Sequence, residues 1–126
     1  MSLILDAGAL VAVERSDELT ITLIKRELGA RRAPRSHGGV IGQVWRSGGS
    51  RQARLAKLLP ALKVFALDEA LGRRAGALLA RARRSDVVDA ALVLLAADGD
   101  SILTSDPDDL EPLAFAAGLH VEIVPV

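Results

Sequence analysis

Short continuous apolar runs alternate along the chain with longer stretches in which apolar residues recur every three or four positions. The first pattern predicts buried strands and the second amphipathic helices. Leu3, Ile4 and Leu5 form an apolar run that stops at Asp6, and helical spacing follows to about Glu14. Ser16 or Asp17 can cap a second helix carrying Leu19, Leu23, Ile24 and Leu28, which Gly29 ends. Residues 33–36 are predicted as a short strand, with helices over 40–46 and 52–59. Residues 63–67 alternate weakly as a strand does, and Asp68 then caps a helix with Leu71, Ala75, Leu78, Leu79 and Ala82 on one face. Asp86 opens a helix predicted to reach about Ala97, and residues 101–104 follow as a strand. Asp106-Pro107 starts a helix with proline in its first turn, Gly118 ends it, and residues 120–124 close the chain as a β-branched strand.

Five strands separated by helical segments, with no repeat, low-complexity tract or linker between them, imply one α/β domain over residues 1–126. Right-handed βαβ units predict a three-layer α/β/α fold with a mainly parallel, roughly five-stranded sheet. Composition agrees, because half the residues are apolar while only Trp45, Phe65 and Phe115 are aromatic. A core of Ala, Leu, Val and Ile suits helices on a parallel sheet. The absence of cysteine excludes disulfides, a thiolate nucleophile and thiolate-held metals. The opening apolar run is broken by Asp6 and lacks a basic flank, so neither a signal peptide nor a membrane span is expected, and a cytoplasmic location is.

The net charge is zero, but the charges are segregated along the chain. Arginine and lysine cluster at Arg31, Arg32 and Arg35, at Arg46, Arg51, Arg54 and Lys57, and from Arg73 to Arg84. Residues 86–111 contain neither, yet carry Asp86, Asp89, Asp98, Asp100, Asp106, Asp108, Asp109 and Glu111. A basic rim around an acidic centre suits a polyanion held over cations, although solvated helix faces account equally for any single arginine.

Asp6 and Asp106 each follow a predicted strand, and ligand sites in doubly wound sheets lie beyond the carboxyl ends of strands, where strand order reverses. Asp89 stands one turn into the helix before the Asp106 strand, and Asp86 three residues earlier on the same face. Crowded carboxylates require protonation or a hard cation, and oxygen-only sites for magnesium or manganese serve phosphoryl chemistry. Each aspartate also has a structural reading. Asp86 and Asp106 fit helix caps with an acidic residue three positions on, and an Asx turn can explain Asp6. No phosphate-binding glycine loop occurs, and His37 and His120 lack metal-ligand spacing. His37 is expected as a surface-loop residue, and Trp45 as partly buried through its helical spacing with Ile41 and Val44. A receiver-like signalling domain is disfavoured, since no lysine ends a late strand.

Four segments together resemble the PIN-domain nucleases, and more closely the VapC-like toxins of toxin–antitoxin pairs. They are Leu3-Ile4-Leu5-Asp6, Gly42-Gln43-Val44-Trp45-Arg46, Ser85 to Leu92, and Leu103-Thr104-Ser105-Asp106-Pro107. The resemblance implies a metal-dependent endoribonuclease using Mg2+ or Mn2+ held by Asp6, Asp89 and Asp106. It also implies homodimerisation and inhibition by a cognate antitoxin protein. Gln43 stands where the family usually has a carboxylate, so its amide oxygen or the Asp86 carboxylate would complete the ligand set. Gly8 stands where a small hydroxyl residue is common, whereas Thr104 keeps a hydroxyl beside Asp106. Arg46, Arg51 and Arg84 are the candidates for contact with RNA. The runner-up reading is a PIN-like module that binds RNA or an antitoxin without cleaving.

Overall fold

A computed structural model describes residues 1–126. Five strands run through the centre: β1 (Leu3–Leu5), β2 (Arg35–His37), β3 (Lys63–Phe65), β4 (Ser101–Thr104) and β5 (Glu122–Pro125). Seven helices connect them: α1 (Ala7–Glu14), α2 (Glu18–Gly29), α3 (Gly38–Val44), α4 (Ala53–Leu58), α5 (Glu69–Ala82), α6 (Val87–Val93) and α7 (Pro107–Ala116). The strand order is β3-β2-β1-β4-β5 and every neighbouring pair is parallel. The α/β class and the parallel sheet expected from the alternating pattern are therefore present. Right-handed crossovers put α1 to α4 on one face, where α1 touches α2, α3 and α4, and α5 to α7 on the other, where the three touch one another. No helix is long and apolar enough to cross a membrane.

The central strands β1 and β4 are buried on both faces, which is why β1 reads as an unbroken apolar run and β4 carries Ile102 and Leu103 side by side rather than alternating. Ile4, Leu5, Ile102 and Leu103 have no exposure and meet Leu10, Val40, Leu78, Leu92 and Leu110 from the helical layers. The edge strand β3 is the exception, with Lys63 and Val64 exposed and the Lys63 ammonium 5.1 Å from the Phe65 ring centroid. Charge on an edge strand discourages pairing with another sheet.

Several predicted boundaries move for identifiable reasons. β2 starts after Pro34, whose carbonyl accepts from the Lys63 N–H, and runs on to His37. α3 begins two residues earlier than spacing suggests, because His37 caps it through Nδ1. The predicted 52–59 helix is framed by two 3-10 turns, Ser50–Gln52 and Leu59–Ala61, the second containing Pro60. α6 stops at Val93, not near Ala97, because the chain tightens into Leu95-to-Leu92 and Ala96-to-Val93 bonds. The Arg35 guanidinium takes the Leu95 carbonyl at 3.0 Å and the Asp100 carboxylate takes the Ala97 N–H at 2.8 Å, which fixes that exit. β3 ends at Phe65, since Asp68 already caps α5, and β5 is displaced to Glu122–Pro125 by its register with β4.

Candidate functional site

Strand order reverses between β1 and β4, because the chain leaves β1 toward β2 on one side and returns to β4 on the other. Asp6 follows β1 and Asp106 follows β4, so both stand at the carboxyl edge of that reversal. Asp6 has 7 % exposure, and its Oδ1 accepts the Ala9 N–H at 2.9 Å, capping α1. The structural reading of Asp6 is therefore a helix cap rather than an isolated Asx turn, and Asp6 starts a helix as well as facing the crevice. Burial raises its pKa, the Asp106 charge adds to the rise, and hydrogen bonds from Thr104, Ala9 and Gly8 oppose it.

Asp106 is the reverse case. It occupies the N-cap position of α7 but makes no side-chain capping bond. Its carboxylate is exposed and accepts from the Ser105 hydroxyl at 3.3 Å. Thr104 is fully buried beside both aspartates, its Oγ1 accepting the Asp106 N–H at 2.8 Å while its hydroxyl helps to hold the Asp6 pKa down. One side chain thus neighbours both acids.

Asp89 reaches the same region from the first turn of α6, where its N–H donates to Asp86 Oδ1 at 3.1 Å. Asp86 is exposed and is a helix cap, as its spacing allowed. Partial burial, and then the charges of Asp86, Asp109, Asp6 and Asp106, push Asp89 up to about 6. Asp109 was treated in the sequence only as a first-turn acid. Its place three residues after Asp106 on one helix face was the available signal. It lines, with Arg84, Ser85, Asp86, Asp89 and Leu113, a cavity of about 150 Å³. Asp98 and Asp100 leave the acidic centre altogether, for they precede β4 at the opposite edge. There they accept the His120 N–H and the Ser2 and Ala97 N–H groups.

The chain's ion pairs, Arg32 with Glu27 and Arg73 with Glu69, lie elsewhere, so none of these carboxylates has a cationic partner. Equally, no three acidic or histidine side chains stand close enough to enclose a cation by themselves. The donor set is oxygen-only and mutually repelling, so a hard cation here would draw most of its ligands from water.

Gln43 is exposed on α3 and lines a groove of about 550 Å³ beside that site, with Ala7, Gly8, Val11, Arg15 and Ser105 among its walls. Gly8 is required by that groove's floor. A Cβ there would lie 2.5 Å from the Ser105 Cβ and 2.8 Å from its backbone nitrogen. Ser105 therefore fills the space that a side chain at position 8 would take, and puts a hydroxyl there. Arg46 is committed elsewhere, its guanidinium closing α3 through the carbonyls of Gly42, Gln43 and Trp45. Arg51 and Arg84 are exposed and form no ion pair. Trp45 is half-buried, packed on the core and over Gly48. His37, expected in a surface loop, is fully buried.

No protein-family model and no curated protein matches the chain. Among solved structures, a chain of the VapBC2 complex from Rickettsia felis, bound to a DNA fragment from their promoter, matches at a TM-score of 0.69 with 12 % identity. The match covers 98 % of both chains, so the fold is shared end to end.

Proposed function

We propose that the chain is a VapC-like, PIN-type toxin that hydrolyses RNA phosphodiester bonds with Mg2+ or Mn2+. The observation that carries this reading is that Asp6, Asp89 and Asp106, from three different elements, face the same edge of the sheet at the strand-order reversal, with no ion pair to any of them. The likeness to a chain of a VapBC complex supports the toxin class. A divalent cation in this cluster would supply charge to the scissile phosphate and acidify an attacking water.

The chain's own residues do the rest. Thr104 anchors the Asp106 backbone beside Asp6, and Ser105 orients the outer oxygen of Asp106. Asp86 lies at the rim and Gln43 offers its amide from the groove wall. Arg84 on one flank and Arg15 on the other are free to take backbone phosphates of a single strand laid along the edge. On the α1 to α4 face, an apolar groove of about 420 Å³ lined by Ile21, Ile24 and Leu28 carries Lys25, Arg54 and Lys57. Its chemistry suits an apolar and acidic segment of an antitoxin. A homodimer in the cytoplasm completes this reading.

The test is to incubate the purified chain, freed of any antitoxin, with a pool of cellular RNAs in Mg2+ or Mn2+ and map the cut ends. Asp6→Asn keeps the cap on α1 through its amide oxygen but removes the charge, so cleavage is lost while the fold persists. An Asn variant that cut as fast as the parent would overturn the assignment. An RNA pool left intact by the parent would favour the binding module, the reading to which the open carboxylate arrangement lends support.

A further inference from the structure

Of the buried titratable side chains, His37 alone has no exposure. It ends β2, and the register of Ile4 with Arg35 sets it level with Asp6 on the adjacent strand. Both ring nitrogens are engaged. Nδ1 accepts the Gly39 N–H at 3.1 Å, and Nε2 lies 2.9 Å from the Val88 carbonyl oxygen. An N–H donor at one nitrogen and a carbonyl at the other assign the ring proton to Nε2, which donates to Val88. Gly39 makes room for the ring, since a Cβ there would come within 2.9 Å of Cε1.

Val88 immediately precedes Asp89. The second half of α6, from Ala90 to Val93, is buried, but Val87 is exposed and Val88 and Asp89 are only partly covered. The side-chain cap on this turn, Asp86, belongs to the same segment and cannot hold it to the sheet. The imidazole is the side-chain bond that does.

We propose that His37 is the positioning residue for Asp89. It pins the first turn of α6 to the end of β2, and thereby sets the approach of the Asp89 carboxylate to Asp6. This rests on the reading of those carboxylates as a cation site. The same ring starts α3, which carries Gln43, so one buried side chain aligns both flanks of the crevice.

Two variants separate the ring's two bonds. His37→Asn keeps an acceptor near the Nδ1 position for Gly39 but cannot reach Val88. His37→Gln extends far enough to donate to Val88 but loses the acceptor at Nδ1. In chelator, backbone amides of α6 should exchange with deuterium about tenfold faster in His37→Asn than in the parent, and near the parent rate in His37→Gln. Mn2+ affinity, measured by calorimetry, should fall roughly tenfold in His37→Asn and be largely retained in His37→Gln. A residue that merely caps α3 predicts the opposite order, and equal Mn2+ affinity in both folded variants would overturn the proposal. A parent protein that bound no Mn2+ would instead overturn the metal-site reading, and unaltered α6 exchange in His37→Asn would overturn the tether itself.

Discussion

Replacing Asp89 by asparagine keeps the side chain's shape and removes the charge that the fold accommodates worst. Burial, with the carboxylates of Asp86, Asp109, Asp6 and Asp106 behind it, pushes this group up to about 6. In an unfolded chain an aspartate titrates near ~3.9. Between those values the native state binds more protons than the unfolded one, so stability falls as pH rises through the window, and the full penalty stands above it. At full strength the rise corresponds to roughly 3 kcal/mol. Asp89 is only partly buried, and solvent screening reduces this to about 1.5 kcal/mol. The charge also favours the N-terminus of α6, which offsets about 0.5 kcal/mol. Asp89→Asn should therefore stabilise the metal-free protein by about 1 kcal/mol at pH 8, or about 4 °C in Tm for a chain of this size. Thermal unfolding followed by circular dichroism in chelator reads this directly. The advantage should shrink as pH falls below 6 and vanish below about pH 3, where both states carry a protonated carboxyl. Saturating Mn2+ should reverse the order, because the parent gains binding stabilisation that the variant loses. An asparagine variant that melted below the parent at pH 8 in chelator would refute the picture of a strained, uncompensated carboxylate. A difference of the same size at pH 4 would refute it too.

Gly8→Ser should cost about 2 kcal/mol by driving its Cβ into Ser105, and Ser105→Gly in the same chain should recover part of it, as urea midpoints would show. If the two substitutions were simply additive, the contact would not exist. Gln52 is buried, and its amide accepts from the N–H groups of Arg46 and Gly48 while donating to Glu14 and the Val44 carbonyl. Gln52→Ala should cost about 2–3 kcal/mol in chemical denaturation and free the loop after α3, and a loss under about 0.5 kcal/mol would contradict the staple. Arg83 ends α5 with φ of 56°, a left-handed conformation that favours glycine. Arg83→Gly should raise the urea-derived stability by roughly 0.5–1 kcal/mol, and a destabilised variant would mean that the Arg83 side chain holds the turn in some other way.

The parts of this fold that the chain declares locally are those whose signal is short-ranged. β1 and β4 are legible because both faces are buried, which leaves adjacent apolar residues at Leu3 to Leu5 and at Ile102 and Leu103, and the following aspartates could be placed at strand ends without knowing any contact. The roles of those aspartates were less legible, because a cap depends on where the backbone aims a side chain. Asp6 has ψ of −176°, extended enough for its carboxylate to turn back onto Ala9. Asp106, with φ of −128° and ψ of 63°, does not, although Asp106-Pro107-Asp108-Asp109 is the more persuasive capping sequence. His37 escaped for a different reason: its decisive partner lies 51 residues away, so nothing beside it in the chain reports its burial. Asp98 and Asp100 share the acidic segment of Asp106 in sequence, but a four-residue strand intervenes. At about 3.3 Å per residue such a strand carries the chain from one edge of the sheet to the other, so these two acids serve its opposite edge. The resulting site is one in which buried hydroxyl and imidazole groups, Thr104 and His37, hold carboxylates that their own charges drive apart. That arrangement persists only because the surrounding core over-determines it, which is why removing a charge should stabilise the fold, whereas removing the groups beneath it should not.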